Sequence, residues 1–149
     1  GGQEFFSTLD KSVCEEGYFE QLANFVYYIE PFADAIVVSG SFGKIFSEWA
    51  ADTKLPLPVV VLSGGLRHKE YVNELKGCFT EVVHRNFVFL DDSYYSGRTK
   101  NAVKRMIEEL GGKFRNSFVV YDGSKVKDRE VFSLFRYYDK YNPETGEKL

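Results

Sequence analysis

The sequence predicts an α/β fold, a mostly parallel β-sheet flanked by helices. Three observations carry this. Four continuous apolar runs, at 35–38, 59–62, 87–90 and 118–121, have strand length and the Val, Ile and Phe content of strands buried on both faces. Segments between them place apolar residues at helical spacing. The first three runs each stop at a polar, glycine-bearing turn. Strands alternating with helices of this length imply right-handed crossovers within one sheet. A chain of 149 residues is long enough for one domain and too short for two. We therefore expect a single domain over 1–149, with a core at about 33–121.

Residues 18–30 set Phe19, Leu22, Ala23, Val26 and Ile29 on one helical face, and Pro31 closes the segment. The run 35–38 ends in Ser39-Gly40-Ser41-Phe42-Gly43, which reads as a turn. Helical spacing resumes over 44–53 through Ile45, Trp49 and Ala50, with Trp49 read as core. Pro56 and Pro58 bracket the approach to 59–62, which stops at Ser63-Gly64-Gly65. In the ambiguous stretch 67–85, Tyr71, Val72 and Leu75 share a helical face, while 78–83 alternates weakly like an edge strand. The run 87–90 passes straight into Asp91-Asp92. Residues 99–110 form the strongest helix, with Ala102, Val103, Met106, Ile107 and Leu110 on one face and Gly111-Gly112 as its stop. After 118–121, the turn Asp122-Gly123-Ser124-Lys125 leads to an aromatic segment, 131–141, expected to be helical. The tail 142–149 is expected to fray.

Composition narrows the function. Nineteen basic against 22 acidic residues leave a net charge of −3, so no bulk electrostatic pull on nucleic acid or anionic membrane is expected. No apolar run reaches membrane-spanning length. Residues 1–5 lack the basic and apolar regions of a secretory signal, and we expect a cytoplasmic protein. Cys14 and Cys78 alone cannot build a disulfide framework or a four-ligand zinc site, and His68 and His84 are too sparse for a metal site. His84 reads as a surface or edge-strand residue.

In a parallel sheet, ligands sit beyond the carboxyl ends of the strands. The most informative such place is Asp91-Asp92-Ser93-Tyr94-Tyr95-Ser96-Gly97-Arg98-Thr99. A buried strand delivers two adjacent carboxylates there, and a short hydroxyl- and glycine-bearing loop opens directly onto a helix. Backbone N–H groups at a helix N-terminus bind phosphate, with the helix dipole behind them. Ser96 and Thr99 add hydroxyls, and Gly97 permits close approach of the backbone. Asp91 and Asp92 stand where carboxylates can accept hydrogen bonds from vicinal sugar hydroxyls or help hold a hydrated divalent cation. Two further turns qualify. Ser39-Gly40-Ser41 after the first strand has the composition of an anion-binding nest. Arg67 and Lys69, after the second, offer cations, Arg67 with the better bidentate geometry.

The stretch 87–99 resembles the phosphoribosyl pyrophosphate (PRPP) signature of the type I phosphoribosyltransferases: an apolar strand, two acids, a three-residue spacer, Ser or Thr, Gly, any residue, Thr. Its local wording is similar to that of the uracil phosphoribosyltransferase-like attenuation regulators. The resemblance implies a Rossmann-like core with a small hood drawn from 1–30 and 122–149. It also implies Mg²⁺, held mainly through PRPP and near Asp91 and Asp92, and transfer of a 5-phosphoribosyl group to a nitrogenous base with release of pyrophosphate. In these terms Asp91 and Asp92 bind the ribose, the segment Ser93 to Thr99 binds the 5-phosphate, and Ser39, Gly40, Ser41, Arg67 and Lys69 bind the pyrophosphate. Asp91, Asp92, Arg67 and Lys69 are then the catalytic candidates.

The chain departs from the family pattern in three ways. Tyr95 stands where purine-salvage members often have Asp, which argues against a 6-oxopurine acceptor. Only 70–86 is available for the mobile loop that closes over substrate in such enzymes. The hood carries no readable acceptor motif, although Phe132, Phe135, Tyr137 and Tyr138 are candidates to stack on a base. Two other readings stay open, a non-catalytic PRPP- or nucleotide-binding regulator and a protein-interaction domain with a vestigial pocket. Dimers are common in the family, so a homodimer is also entertained.

Overall fold

The computed structural model describes residues 17–63, 75 and 81–136. Helix α1 (Tyr18–Ile29) buries Phe19, Leu22, Ala23 and Val26, the apolar stripe the sequence predicts. It ends ahead of Pro31, where Glu30 N–H bonds the Val26 carbonyl at 2.7 Å. Strand β1 (Ala35–Ser39) is buried along its whole length. Helix α2 (Gly40–Asp52) follows with no intervening loop. The glycine-bearing turn expected at 39–43 is thus reduced to the step from Ser39 to Gly40, where Gly40 takes φ 65°. Gly43 already lies in the helix, against β1. A Cβ there would come within 3.0 Å of the Val38 carbonyl carbon, so its bare backbone lets α2 sit directly on the strand.

Strand β2 (Val59–Leu62) matches its expected limits. Strand β3 (Asn86–Tyr94) runs four residues beyond the apolar run, and β4 (Lys113–Asp122) is ten residues long. The polar ends extend because each strand gives the other a ladder. Asp91 pairs with Val119, Ser93 with Tyr121 and Tyr94 with Asp122. Helix α3 (Arg98–Glu109) buries Val103, Met106 and Ile107. Residues 131–136 are a strand, β5 (Val131–Arg136), and not the helix expected there. Pairing with β4 from Ser117–Val131 to Asp122–Arg136 satisfies backbone groups that β4 would otherwise expose. It also stacks Phe132 on Phe118 at 5.5 Å.

The sheet has the order β2-β1-β3-β4-β5, and every neighbouring pair is parallel. Its two faces bury separate clusters. One face packs Ile36, Val38, Val88, Leu90, Phe118 and Val120 against α1 and α2. The other packs Ala35, Val37, Phe87 and Phe89 against Val103, Met106 and Ile107 of α3 and against Leu75. On the first face Phe19, Phe42, Phe46 and Trp49 form an aromatic cluster, with Phe19 and Phe46 edge-to-face at 5.3 Å. Trp49 packs there as core. Much of the aromatic excess therefore fills the α1–α2 side of the sandwich. No helix among the described residues is long and apolar enough to cross a membrane.

Candidate functional site

The chain runs from β1 outward to β2, then returns to place β3 on the other side of β1. The boundary between β1 and β3 is the switch point of the sheet, where a crevice opens beyond the carboxyl ends of the strands. The β1–β3 ladder stops at Val37–Phe89. Beyond it α2 leaves toward one face and α3 toward the other. Both helices start at this edge, and their positive dipole ends converge on it. Ser39 caps α2 with extended backbone (φ −144°, ψ 159°), and its side chain makes no capping hydrogen bond. Gly97 is the N-cap of α3, in the left-handed region at φ 80°.

A cavity of about 200 Å³ lies at the end of β3. Asp91, Ser93, Tyr94, Tyr95, Ser96, Gly97, Arg98 and Thr99 line it, together with Phe89, Lys100, Ser117 and Val119. Eight of the nine residues from Asp91 to Thr99 thus meet around one space. The exception is Asp92. The extension of β3 through Tyr94 keeps both acids on the strand. They remain linked through the backbone, since Asp92 N–H donates to Asp91 Oδ1 at 2.9 Å. Ser93 Oγ donates to Asp92 Oδ1 at 3.3 Å.

The loop after β3 is compact. Arg98 N–H donates to Ser96 Oγ at 3.3 Å, and Asn101 N–H closes the first helical turn on the Gly97 carbonyl at 2.8 Å. Ser96, Arg98 and Thr99 are exposed, while Gly97 is buried under them. Tyr95 is 47% exposed, and its ring covers Gly123, where a Cβ would come within 2.6 Å of Cζ. A solvent-facing anion can therefore reach the α3 N-terminus past an aromatic wall.

Below this loop lies a set of charges that the sequence reading missed. Lys100 is only 4% exposed, and its ammonium donates to Asp128 Oδ2 and Glu130 Oε1, both at 2.8 Å. Lys104, one turn on, donates to both Glu130 oxygens at 2.8 Å. Tyr94 Oη donates to Asp128 Oδ2 at 2.8 Å. Burial disfavours charge on Lys100, Asp128 and Glu130, but their mutual hydrogen bonds outweigh it. The Lys100 pKa is held above its usual value and those of Asp128 and Glu130 below theirs. Burial, the Asp128 hydrogen bond and the surrounding carboxylates push the Tyr94 phenol up to about 12. A lysine four residues before another on a helix, with two acids two apart in the turn ahead of β5, is the one trace of this network in the sequence.

Ser39, Gly40 and Ser41 stand at the end of β1, the strand beside β3, and do not line the cavity. Ser39 is buried and Ser41 exposed. Arg67, Lys69, Cys14, Cys78, His68, Tyr137 and Tyr138 lie outside the described residues. Phe132 and Phe135 belong to β5 and pack into the α1 face, Phe135 edge-to-face with Tyr18 at 5.5 Å. His84 is exposed, as expected.

No protein-family profile matches the chain, and no curated protein sequence does. Solved structures do. Adenine phosphoribosyltransferase from Thermoanaerobacter pseudethanolicus superimposes with a TM-score of 0.60 at 18% identity, covering 85% of this chain and 83% of that one. Purine phosphoribosyltransferase from Pyrococcus horikoshii gives 0.58 at 16% identity, with 81% and 80% covered. The fold is that of the type I phosphoribosyltransferases. A hypoxanthine-guanine phosphoribosyltransferase from Bacillus anthracis shares it at a TM-score of 0.57 and 15% identity, covering 91% of this chain and 80% of that one. In the type I phosphoribosyltransferase fold seen here, the all-parallel sheet and its switch point bring the 91–99 segment to the carboxyl edge.

Proposed function

We propose that this protein binds PRPP at the end of β3 and transfers its 5-phosphoribosyl group to a nitrogenous base, releasing pyrophosphate. The observation that carries the reading is the loop 95–99. It opens α3 through a left-handed Gly97, lines one cavity with Asp91, and lies at the switch point of the sheet. The N–H groups of the first turn of α3, with Ser96 and Thr99, hold the 5-phosphate. Asp91 accepts hydrogen bonds from the ribose hydroxyls and faces the positive charge that develops on the ring as the C1–O bond breaks. The bonding pair leaves with the pyrophosphate oxygen, and a base nitrogen closes on C1 through its lone pair, its proton passing to solvent. Ser39, Gly40 and Ser41 at the adjacent N-terminus of α2, with Arg67 and Lys69, receive the pyrophosphate. The chain's part is to orient the two reactants and to answer charge as it moves.

Mg²⁺ fits this donor set. Among the described residues no three His, Cys, Asp or Glu side chains converge on a point. Asp91 and Asp92 instead offer carboxylates to an ion that retains water and takes its other oxygens from substrate phosphates. Bound there, Mg²⁺ would neutralise charge on the pyrophosphate.

The test is to incubate the protein with PRPP, Mg²⁺ and a panel of bases, and to follow pyrophosphate. Release with one base supports transfer, saturable binding without release supports a PRPP-sensing regulator, and no binding overturns both. The two acids should also separate. Asp91→Asn should weaken PRPP binding by about tenfold, the loss of a charged hydrogen bond, and Asp92→Asn by clearly less. Equal effects would contradict the assignment of Asp91 as the ribose-facing acid.

A further inference from the structure

Two residues flank the phosphate-binding loop, Tyr94 at the end of β3 and Lys100 in the first turn of α3. Both end on the same atom. Tyr94 Oη and Lys100 Nζ each donate to Asp128 Oδ2 at 2.8 Å. Asp128 is itself fixed. Its Oδ1 accepts the Glu130 N–H at 2.9 Å, and its carbonyl accepts the Val131 N–H at 3.1 Å. A shared oxygen on a rigid turn therefore closes a bracket around residues 95–99. Within it the Tyr94 hydroxyl lies directly against Gly97, where a Cβ would come within 2.7 Å.

We propose that Asp128 is a positioning residue that sets the shape of the 95–99 loop, and through it the affinity for a phosphomonoester, by holding Tyr94 and Lys100. This inference rests on the reading of that loop as a phosphate site. The physical reason is entropic. A five-residue loop that must order itself around an anion loses affinity, whereas donors held in place before the ligand arrives do not. Charge-assisted hydrogen bonds from Asp128 at both flanks supply that order. The carboxylate comes from the β4–β5 connection, so the arrangement of the sheet edge is transmitted directly to the site.

The experiment compares wild type, Asp128→Asn, Tyr94→Phe and the double variant. It uses amide hydrogen exchange on the ligand-free protein and calorimetric titration with ribose 5-phosphate. Two amides report on the base of the loop, Asn101, bonded to the Gly97 carbonyl, and Gly123, bonded to the Tyr94 carbonyl. In Asp128→Asn both should exchange about tenfold faster, with Val88, Phe89 and Leu90 unchanged, and ribose 5-phosphate affinity should fall about tenfold. Tyr94→Phe should give a smaller loss, and adding it to Asp128→Asn should cost nothing more, since both remove one bracket. Unchanged loop exchange, uniformly faster exchange across the sheet, or losses that add would each overturn the proposal. Should Asp128→Asn fail to fold, Tyr94→Phe alone must still loosen Asn101 and Gly123 and weaken binding; no change overturns the proposal. A wild type that binds no ribose 5-phosphate, but whose loop exchange responds as stated, would remove the phosphate-site reading and leave the bracket standing.

Discussion

Gly97 shows how much one backbone position decides. Its φ of 80° lies where L-residues pay about 1–2 kcal/mol, and the space a Cβ would take belongs to the Tyr94 hydroxyl. Gly97→Ala should therefore lower the unfolding free energy by about 1–3 kcal/mol in urea titrations, strain and displaced phenol together, and should weaken ribose 5-phosphate binding. Full stability in that variant would mean the loop can relax, and the left-handed turn would not matter. At this scale the sequence was informative where chemistry is local. The hydroxyls, the glycine and Asp91 follow one another along the chain, and the structure brings them to one cavity. It was silent on Lys100 and Asp128, whose meeting spans 28 residues and leaves no local pattern. How far β3 continues past Asp92 was equally illegible, because pairing with β4 determines it.

Among the elements, α3 and the approach to β5 are joined by charge. Asp128 and Glu130 have folded pKa values below their unfolded ones, so each contributes stability that is present above about pH 4 and lost as pH falls through its folded value. Lys100 and Tyr94 are raised, so their contributions hold below about pH 10 and disappear as pH rises toward their folded values. Unfolding midpoints should therefore plateau between these limits and fall on both sides. Glu130→Gln should lower the plateau and flatten the acid limb; an acid limb identical to wild type would show that the Lys100–Glu130–Lys104 pairing contributes nothing. The same region explains the element expected as a helix and found as a strand. Phe132 and Phe135 are three apart and suit a helical stripe, yet Phe132 and Leu134 also alternate as a strand requires. Periodicity cannot separate the two in six residues, and the open edge of β4 decides.

For the molecule as a whole, the parallel sheet was legible because strands covered on both faces read as unbroken apolar runs. The switch point then followed from strand order, which no single segment encodes. The aromatic cluster lies on the α1–α2 side. Phe46 is fully buried between Phe19, Phe42 and Trp49. Phe46→Ala should cost about 3–5 kcal/mol, a large part of the 5–15 kcal/mol typical of a domain. The urea midpoint should drop with the slope unchanged; a loss under 1 kcal/mol would mean that neighbouring rings collapse into the space.

The connection from β4 to β5 works as a strap of measured length. The register sets Val131 beside Ser117, so the chain leaving Asp122 must travel back past five residues of strand, about 17 Å. Nine residue steps can span about 30 Å when extended. The surplus is taken up by the detour over α3 that brings Asp128 and Glu130 to Lys100 and Lys104. Shortening the strap by two or three residues would leave the sheet able to close while drawing Asp128 away from its partners. If Asp128 sets the 95–99 loop as proposed, the length of this connection would in turn set how firmly the loop is held, and insertion or deletion there would change it.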